Sequence, residues 1–178
     1  MQFARTRLPA LLAAFVAVLL AITSAYADDW KLTGSGIRVK TIAIVDIKVY
    51  AISHYMKPPF PAHSKQAVIE ADTAKKFVWT MKRDVDKDKI VGALRDAFKM
   101  NGYGDTSKID QFVGAFNGDL KENATVSIVY DADKKQTTAS TPNGSATVEG
   151  VEFMKAVWSI WFGKIDQPKL GDALISQL

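Results

Sequence analysis

Phe77-Val78-Trp79-Thr80-Met81-Lys82, followed by the run Ile90 to Phe98, decides how this chain is to be read. In the first stretch Phe77, Trp79 and Met81 alternate with Val78, Thr80 and Lys82, the period of a half-buried strand over 76–82. In the second, Ile90, Leu94, Ala97 and Phe98 recur at the spacing of one helical face. Asp86 is placed to cap the start of that helix, and Gly102 to close its end in a left-handed conformation. The chain therefore passes from strand to helix here without the repeated crossovers that a parallel sheet requires.

The same reading extends outward in both directions. Upstream, the Val-, Ile- and Tyr-rich run from Ile37 to Tyr55 predicts strands over 30–40 and 46–56 about a loosely marked turn at 41–45. Lys57-Pro58-Pro59-Phe60-Pro61 breaks regular structure, and a further strand is predicted near 66–71. Downstream, Ile109, Phe112, Val113 and Phe116 mark a second helix entered through Asp105-Thr106. Strands are expected at 124–131, 135–141 and 145–149, the last pair joined by the turn dipeptide Asn143-Gly144. Helices over 151–162, ended by Gly163, and 168–177, opened by Pro168, complete the chain. The expected fold is α+β: an antiparallel sheet with helices layered on it.

Residues 1–27 have the three-part order of a cleavable secretory signal. Arg5 and Arg7 precede an uncharged run over 8–22, and Ala25-Tyr26-Ala27 supplies the small-x-small cleavage pattern before Asp28-Asp29. A membrane anchor is the alternative, but a spanning helix needs about 20 apolar residues and this run is shorter. The expectation is a periplasmic or secreted single domain, 28–178, with no stable membrane span after cleavage.

Charge and composition narrow the function classes. The 178-residue chain carries 23 basic and 19 acidic residues, and loss of Arg5 and Arg7 with the leader lowers its formal charge from +4 to +2. Lysines alternate with aspartates, as at Lys82-Arg83-Asp84 and Lys87-Asp88-Lys89, the pattern of a solvated face rather than of a nucleic-acid surface. The chain has no cysteine, which excludes thiolate catalysis and thiolate metal sites. His54 and His63, the two histidines, have no partner at metal-ligand spacing, and Gly34-Ser35-Gly36 lacks the third glycine of a dinucleotide loop. No cofactor or metal is expected. The aromatic helix with Phe153, Val157, Trp158, Trp161 and Phe162 reads as core packing, and the same residue types would also line an apolar cavity.

Five segments taken together carry a resemblance. Gly34-Ser35-Gly36-Ile37-Arg38, Val49-Tyr50-Ala51-Ile52-Ser53-His54-Tyr55 and Met81-Lys82-Arg83-Asp84-Val85 are followed by Asn101-Gly102-Tyr103-Gly104-Asp105. Trp158-Ser159-Ile160-Trp161-Phe162-Gly163 with Pro168 completes the series. In order and spacing, over roughly residues 33–175, they resemble the chalcone isomerase-like family, particularly its exported bacterial members. The resemblance implies an open-faced β-sandwich. It also implies a site at Arg38, Tyr50, Tyr103, Asp110 and Ile160.

In the plant enzymes of the family an arginine, a threonine and a tyrosine surround a chalcone whose phenolate closes on its own enone, and an asparagine and a further hydroxyl residue bind the substrate. Arg38 and Tyr103 match the arginine and the tyrosine, so these two would be catalytic in an enzyme. Tyr50 stands at the threonine position, Asp110 at the asparagine and Ile160 at or beside the late hydroxyl. An ionised Asp110 would repel a phenolate, and the Tyr50 ring fills space that a planar substrate needs. The family's fatty-acid-binding members hold a carboxylate with an arginine and a tyrosine, which Arg38 and Tyr50 match; a guanidinium binds a carboxylate bidentately and a phenol adds a donor.

Three readings remain open at this level. The first is an exported binder of a hydrophobic carboxylate such as a fatty acid, the second an intramolecular lyase acting on a phenolic enone, and the third a structural or partner-binding domain. In the third, Arg38 pairs with an aspartate at a sheet edge and Tyr50 is an ordinary strand aromatic.

Overall fold

Alternating burial along six strands fixes one face of a sheet against helices. The structure, a computed structural model, describes residues 29–178; the leader reading falls outside them. The strands are β1 (Lys31–Ile42), β2 (Val45–Met56), β3 (Lys75–Met81), β4 (Thr125–Asp131), β5 (Gln136–Thr141) and β6 (Gly144–Glu149). They lie in chain order β1-β2-β3-β4-β5-β6, every neighbouring pair antiparallel. The helices are α1 (Lys65–Glu70), α2 (Lys87–Met100), α3 (Thr106–Val113), α4 (Val151–Phe162) and α5 (Pro168–Leu174). The α+β expectation is met.

Helix α4 is the centre of the core. It is buried nearly all round, as an interior helix must be. Phe77 of β3 packs against both Trp158 and Trp161, with ring centroids 5.1 and 4.5 Å apart. On the edge strand β1, Gly36 lies so close to α5 that a Cβ there would come within 2.6 Å of Leu170 Cδ1. The Gly34-Ser35-Gly36 stretch thus serves close helix–strand approach.

Three local expectations are corrected. The strand foreseen near 66–71 is helix α1. Adjacent β-branched Val68 and Ile69 read as strand, but Ser64 caps the helix by accepting the Ala67 N–H at 3.1 Å. Its C-terminal carbonyls are collected by buried Lys75, whose Nζ donates to Val68, Ile69 and Ala71 O at 2.6, 3.2 and 2.9 Å. Burial draws the Lys75 ammonium down to about 7, against the opposing charges of Asp72 and Glu70.

The second correction is at the β5–β6 turn, whose loop residues are Pro142 and Asn143, with Thr141 facing Gly144 across the register. The third concerns Asp86, which holds the N-cap position of α2 without a capping bond and pairs with Lys89 at 2.7 Å instead. The first N–H of that helix is taken by Asp119 at 3.0 Å. Gly102 does close α2 with a φ of 79°.

Candidate functional site

Pairing of β1 with β2 sets Arg38 opposite Tyr50, beside a bulge between Arg38 and Val39. The bulge frees the Val39 N–H, which Gln167 Oε1 accepts at 2.9 Å, and Gln167 Nε2 donates to Ile37 O at 3.0 Å. The segment between α4 and α5 is thereby laced to β1. It brings Asp166 onto the Arg38 guanidinium, with Nη2 to Oδ1 at 2.6 Å. Nη1 of Arg38 donates to Val39 O at 3.0 Å and to Gln167 Oε1 at 3.3 Å. Burial pushes the Asp166 carboxyl upward, but the Arg38 and Lys40 charges outweigh it and hold the group below its ordinary range.

Tyr50 is buried on the same face. Its hydroxyl oxygen accepts the Trp161 indole N–H at 3.1 Å, and its ring stacks on Trp79 with centroids 4.7 Å apart and planes 9° apart. Burial raises the phenol above its ordinary value, opposed by the Trp161 bond and the Arg38 charge, so Tyr50 is a neutral donor at physiological pH.

Two cavities share Arg38 and Tyr50. The larger, about 600 Å³, runs between the sheet and α2, with Trp79, Ile90, Leu94, Ala97, Ile160 and Trp161 as apolar walls. Lys40, Lys89, Lys164 and Asp166 stand among its polar lining. The second, about 540 Å³, extends toward the β1–β2 turn past Ile42, Ile47, Val49 and Val85. Both volumes fall in the range of small-molecule pockets. The Trp79 indole N–H is buried with no hydrogen-bond partner, an uncompensated donor in the wall residue itself.

Of the residues singled out in the sequence, Arg38, Tyr50 and Ile160 meet at the larger cavity. Tyr103 and Asp110 line neither cavity. Tyr103 packs on Phe98 and Phe153, each with centroids 5.8 Å away, and Asp110 is an exposed partner of Arg95. The aspartate that pairs with Arg38 is Asp166, from the α4–α5 segment. Sequence reasoning passed over Asp166 and Gln167, because a charge and an amide in a short loop carry no periodic signal. Ile90 and Leu94, whose spacing marks one apolar helix face, and Trp161, whose residue type suits core and cavity alike, are walls of the cavity. Among the described residues no three His, Asp or Glu side chains gather as a metal site would require.

A second polar cluster lies farther along β2. His54 Nε2 accepts the Trp158 indole N–H at 2.9 Å, so its proton sits on Nδ1, 2.6 Å from Thr33 Oγ1. The Thr33 hydroxyl donates on to Leu174 O at 2.8 Å. Burial, reinforced by the Lys75 charge, holds His54 well below the ordinary imidazole value.

The chalcone isomerase-like family model matches residues 17–174, and the chain belongs to that family. No curated protein matches it. Among solved structures it is similar to a fatty-acid binding protein of Arabidopsis thaliana, with a TM-score of 0.67 and 15% identity. The match covers 85% of this chain and 89% of that one. A likeness at that identity is one of fold.

Proposed function

We propose that the protein is an exported binder of a hydrophobic carboxylate such as a fatty acid, held without chemical transformation. The observation that carries this reading is the placement of Arg38 beside Tyr50 where two largely apolar cavities meet. The guanidinium and the phenol take the carboxylate, and Trp79, Leu94, Ile160 and their neighbours take the chain. The ligand binding named for the Arabidopsis structure supports the same choice.

Asp166 has a definite part in this reading. Its carboxylate occupies the Arg38 donor that a ligand would use, and its other oxygen lies 3.4 Å from Lys40 Nζ. An incoming carboxylate takes over at Arg38 and leaves Asp166 to Lys40. Export rests on residues 1–27; mature protein from the periplasmic or secreted fraction should begin at Asp28.

The test is a titration with a long-chain fatty acid, followed by tryptophan fluorescence, since Trp79 and Trp161 line the cavity. Wild type should give a saturable change, and Arg38→Ala should weaken binding by about tenfold or more, the scale of a lost charge-assisted bond. No saturable change, or equal affinity in the variant, overturns the reading. Loss of a chalcone's long-wavelength absorbance faster with wild type than with Arg38→Ala would replace it with catalysis.

A further inference from the structure

The β1–β2 turn breaks two ordinary rules at once. A two-residue hairpin turn favours Gly, Asn or Asp, because its central residues adopt φ values that other side chains resist. Here the turn between paired Ile42 and Val45 is Ala43-Ile44, and Ala43 is held at a φ of 56°. The same tip is apolar and open to solvent: Ile44 is 96% exposed, Ile42 59% and Val45 58%. Scattered exposed aliphatics need no explanation, but three within four residues at the end of a projecting hairpin form a patch. A strained turn made of apolar residues points to a use for them.

We propose that this tip docks the protein on an anionic lipid bilayer surface, with Ile42, Ile44 and Val45 entering the interface. The occupant is argued from charge and shape. A basic collar stands behind the tip: Lys40 faces Ile47 and Lys48 faces Val39 in the register, one lysine on each strand. Arg83 adds a further exposed cation beside Ile42 and Ile47 at the second cavity and has no ion pair among the described residues, whereas Lys40 is shared with Asp166 and Lys89 with Asp86. Of the nearby acids, Asp84 pairs with Lys121 at 3.2 Å, Asp86 with Lys89 at 2.7 Å and Asp166 with Arg38, while Asp46, which accepts from Thr41 Oγ1 at 2.7 Å, keeps its charge opposite Thr41. Lys48 keeps no ion pair among the described residues. An apolar tip with a cationic collar matches a bilayer interface, where aliphatic side chains enter the acyl boundary and lysines meet anionic headgroups. No helix among the described residues is long and apolar enough to cross a membrane.

The tip is continuous with the second cavity, since Ile42 belongs to both and Ile47, behind the tip, lines the cavity. The docked protein would present the cavity mouth to the bilayer, the source of a hydrophobic carboxylate. That route rests on the ligand reading above; the docking itself does not. The vesicle assay is run without fatty acid and the fatty-acid titration without vesicles, so each fails separately.

The experiment is co-sedimentation of the mature protein with vesicles of phosphatidylethanolamine and phosphatidylglycerol. Wild type should bind, less so at high salt and on vesicles of phosphatidylcholine alone. The combined variant Ile42→Ser, Ile44→Ser, Val45→Ser should lose about tenfold or more in binding with its melting temperature retained, and Lys48→Gln should lose a few-fold. The absence of cysteine allows a single environment-sensitive label at Ile44→Cys, which should shift to the blue on vesicles. The same label at Asp133→Cys, in the turn at the opposite end of the sheet, should not. No binding by wild type, or binding unchanged in the triple variant, overturns the proposal. So does self-association through the tip without vesicle binding, which would make the surface a contact between copies of this chain.

Discussion

Strand β2 and helix α4 meet twice through a tryptophan N–H, at His54–Trp158 and at Tyr50–Trp161, and the two meetings do different work. At His54 both ring nitrogens are bonded, Thr33 passes the chain of bonds to Leu174 O, and Phe77 and Phe162 close over the ring at 4.8 and 5.1 Å. Nothing there is left for a ligand. At Tyr50 the hydroxyl accepts one bond and lies beside a guanidinium whose partner, Asp166, is half exposed, and the space in front is a cavity. The same pair of elements thus builds a sealed polar joint at one place and an open polar corner at the other. What separates them is the covering layer: Phe162 and α5 lie over His54, whereas the cavity beneath α2 lies over Tyr50.

The largest effect is expected from Trp158→Ala, at the sealed joint. It empties a fully buried indole site and leaves His54 Nε2 without its donor. The expected loss is about 3–5 kcal/mol, or about 10 °C in melting temperature, measured by thermal denaturation. A loss near 1 kcal/mol would mean that the joint is not sealed.

The second prediction uses pH. His54 is neutral in the folded protein with a depressed folded value, while the unfolded chain takes up a proton near 6.5. The unfolded state therefore binds more protons below pH 6.5, and stability falls as pH drops through that point. The contribution is at most about 1.4 kcal/mol per pH unit. Denaturant midpoints from pH 7 downward should show this slope, and His54→Gln should flatten it.

The smallest effect belongs to the open corner. Asp166→Ala removes the competitor for Arg38 and should tighten fatty-acid binding a few-fold with little change in stability, because the pair is partly exposed. Weaker binding instead would make Asp166 a positioning residue for the guanidinium.

The legible and illegible parts of this protein divide along physical lines. Alternation at Phe77, Trp79 and Met81 and the helical spacing of Ile90, Leu94 and Phe98 report which side of an element is dry, so the layers and their order could be read. Helix α1 could not, because what ends it is Lys75, a charge brought back from the next strand to bind its carbonyls. The β5–β6 turn moved by one residue because Thr141 Oγ1 holds the Asn143 N–H at 3.0 Å and starts the turn earlier. At the site, Arg38 and Tyr50 are paired by the family resemblance alone; the β1–β2 register that sets them opposite each other, with its bulge after Arg38, has no signal in the loosely marked turn at 41–45. Tyr103 and Asp110 rest on the same resemblance, which does not reveal that α3 carries Asp110 outward to Arg95. Asp166 was hidden for the converse reason: its role arises only where a loop folds back on β1.

One corner is open and the other sealed, and indole N–H resonances report both in a single experiment. A fatty-acid titration followed by heteronuclear NMR would observe Trp79, Trp158 and Trp161 together. The indole signals of Trp161, bonded to Tyr50, and of Trp79, which has no partner, should move and saturate, while that of Trp158 stays in place. Movement of Trp158 with Trp161 fixed, or no movement at either, would contradict that division.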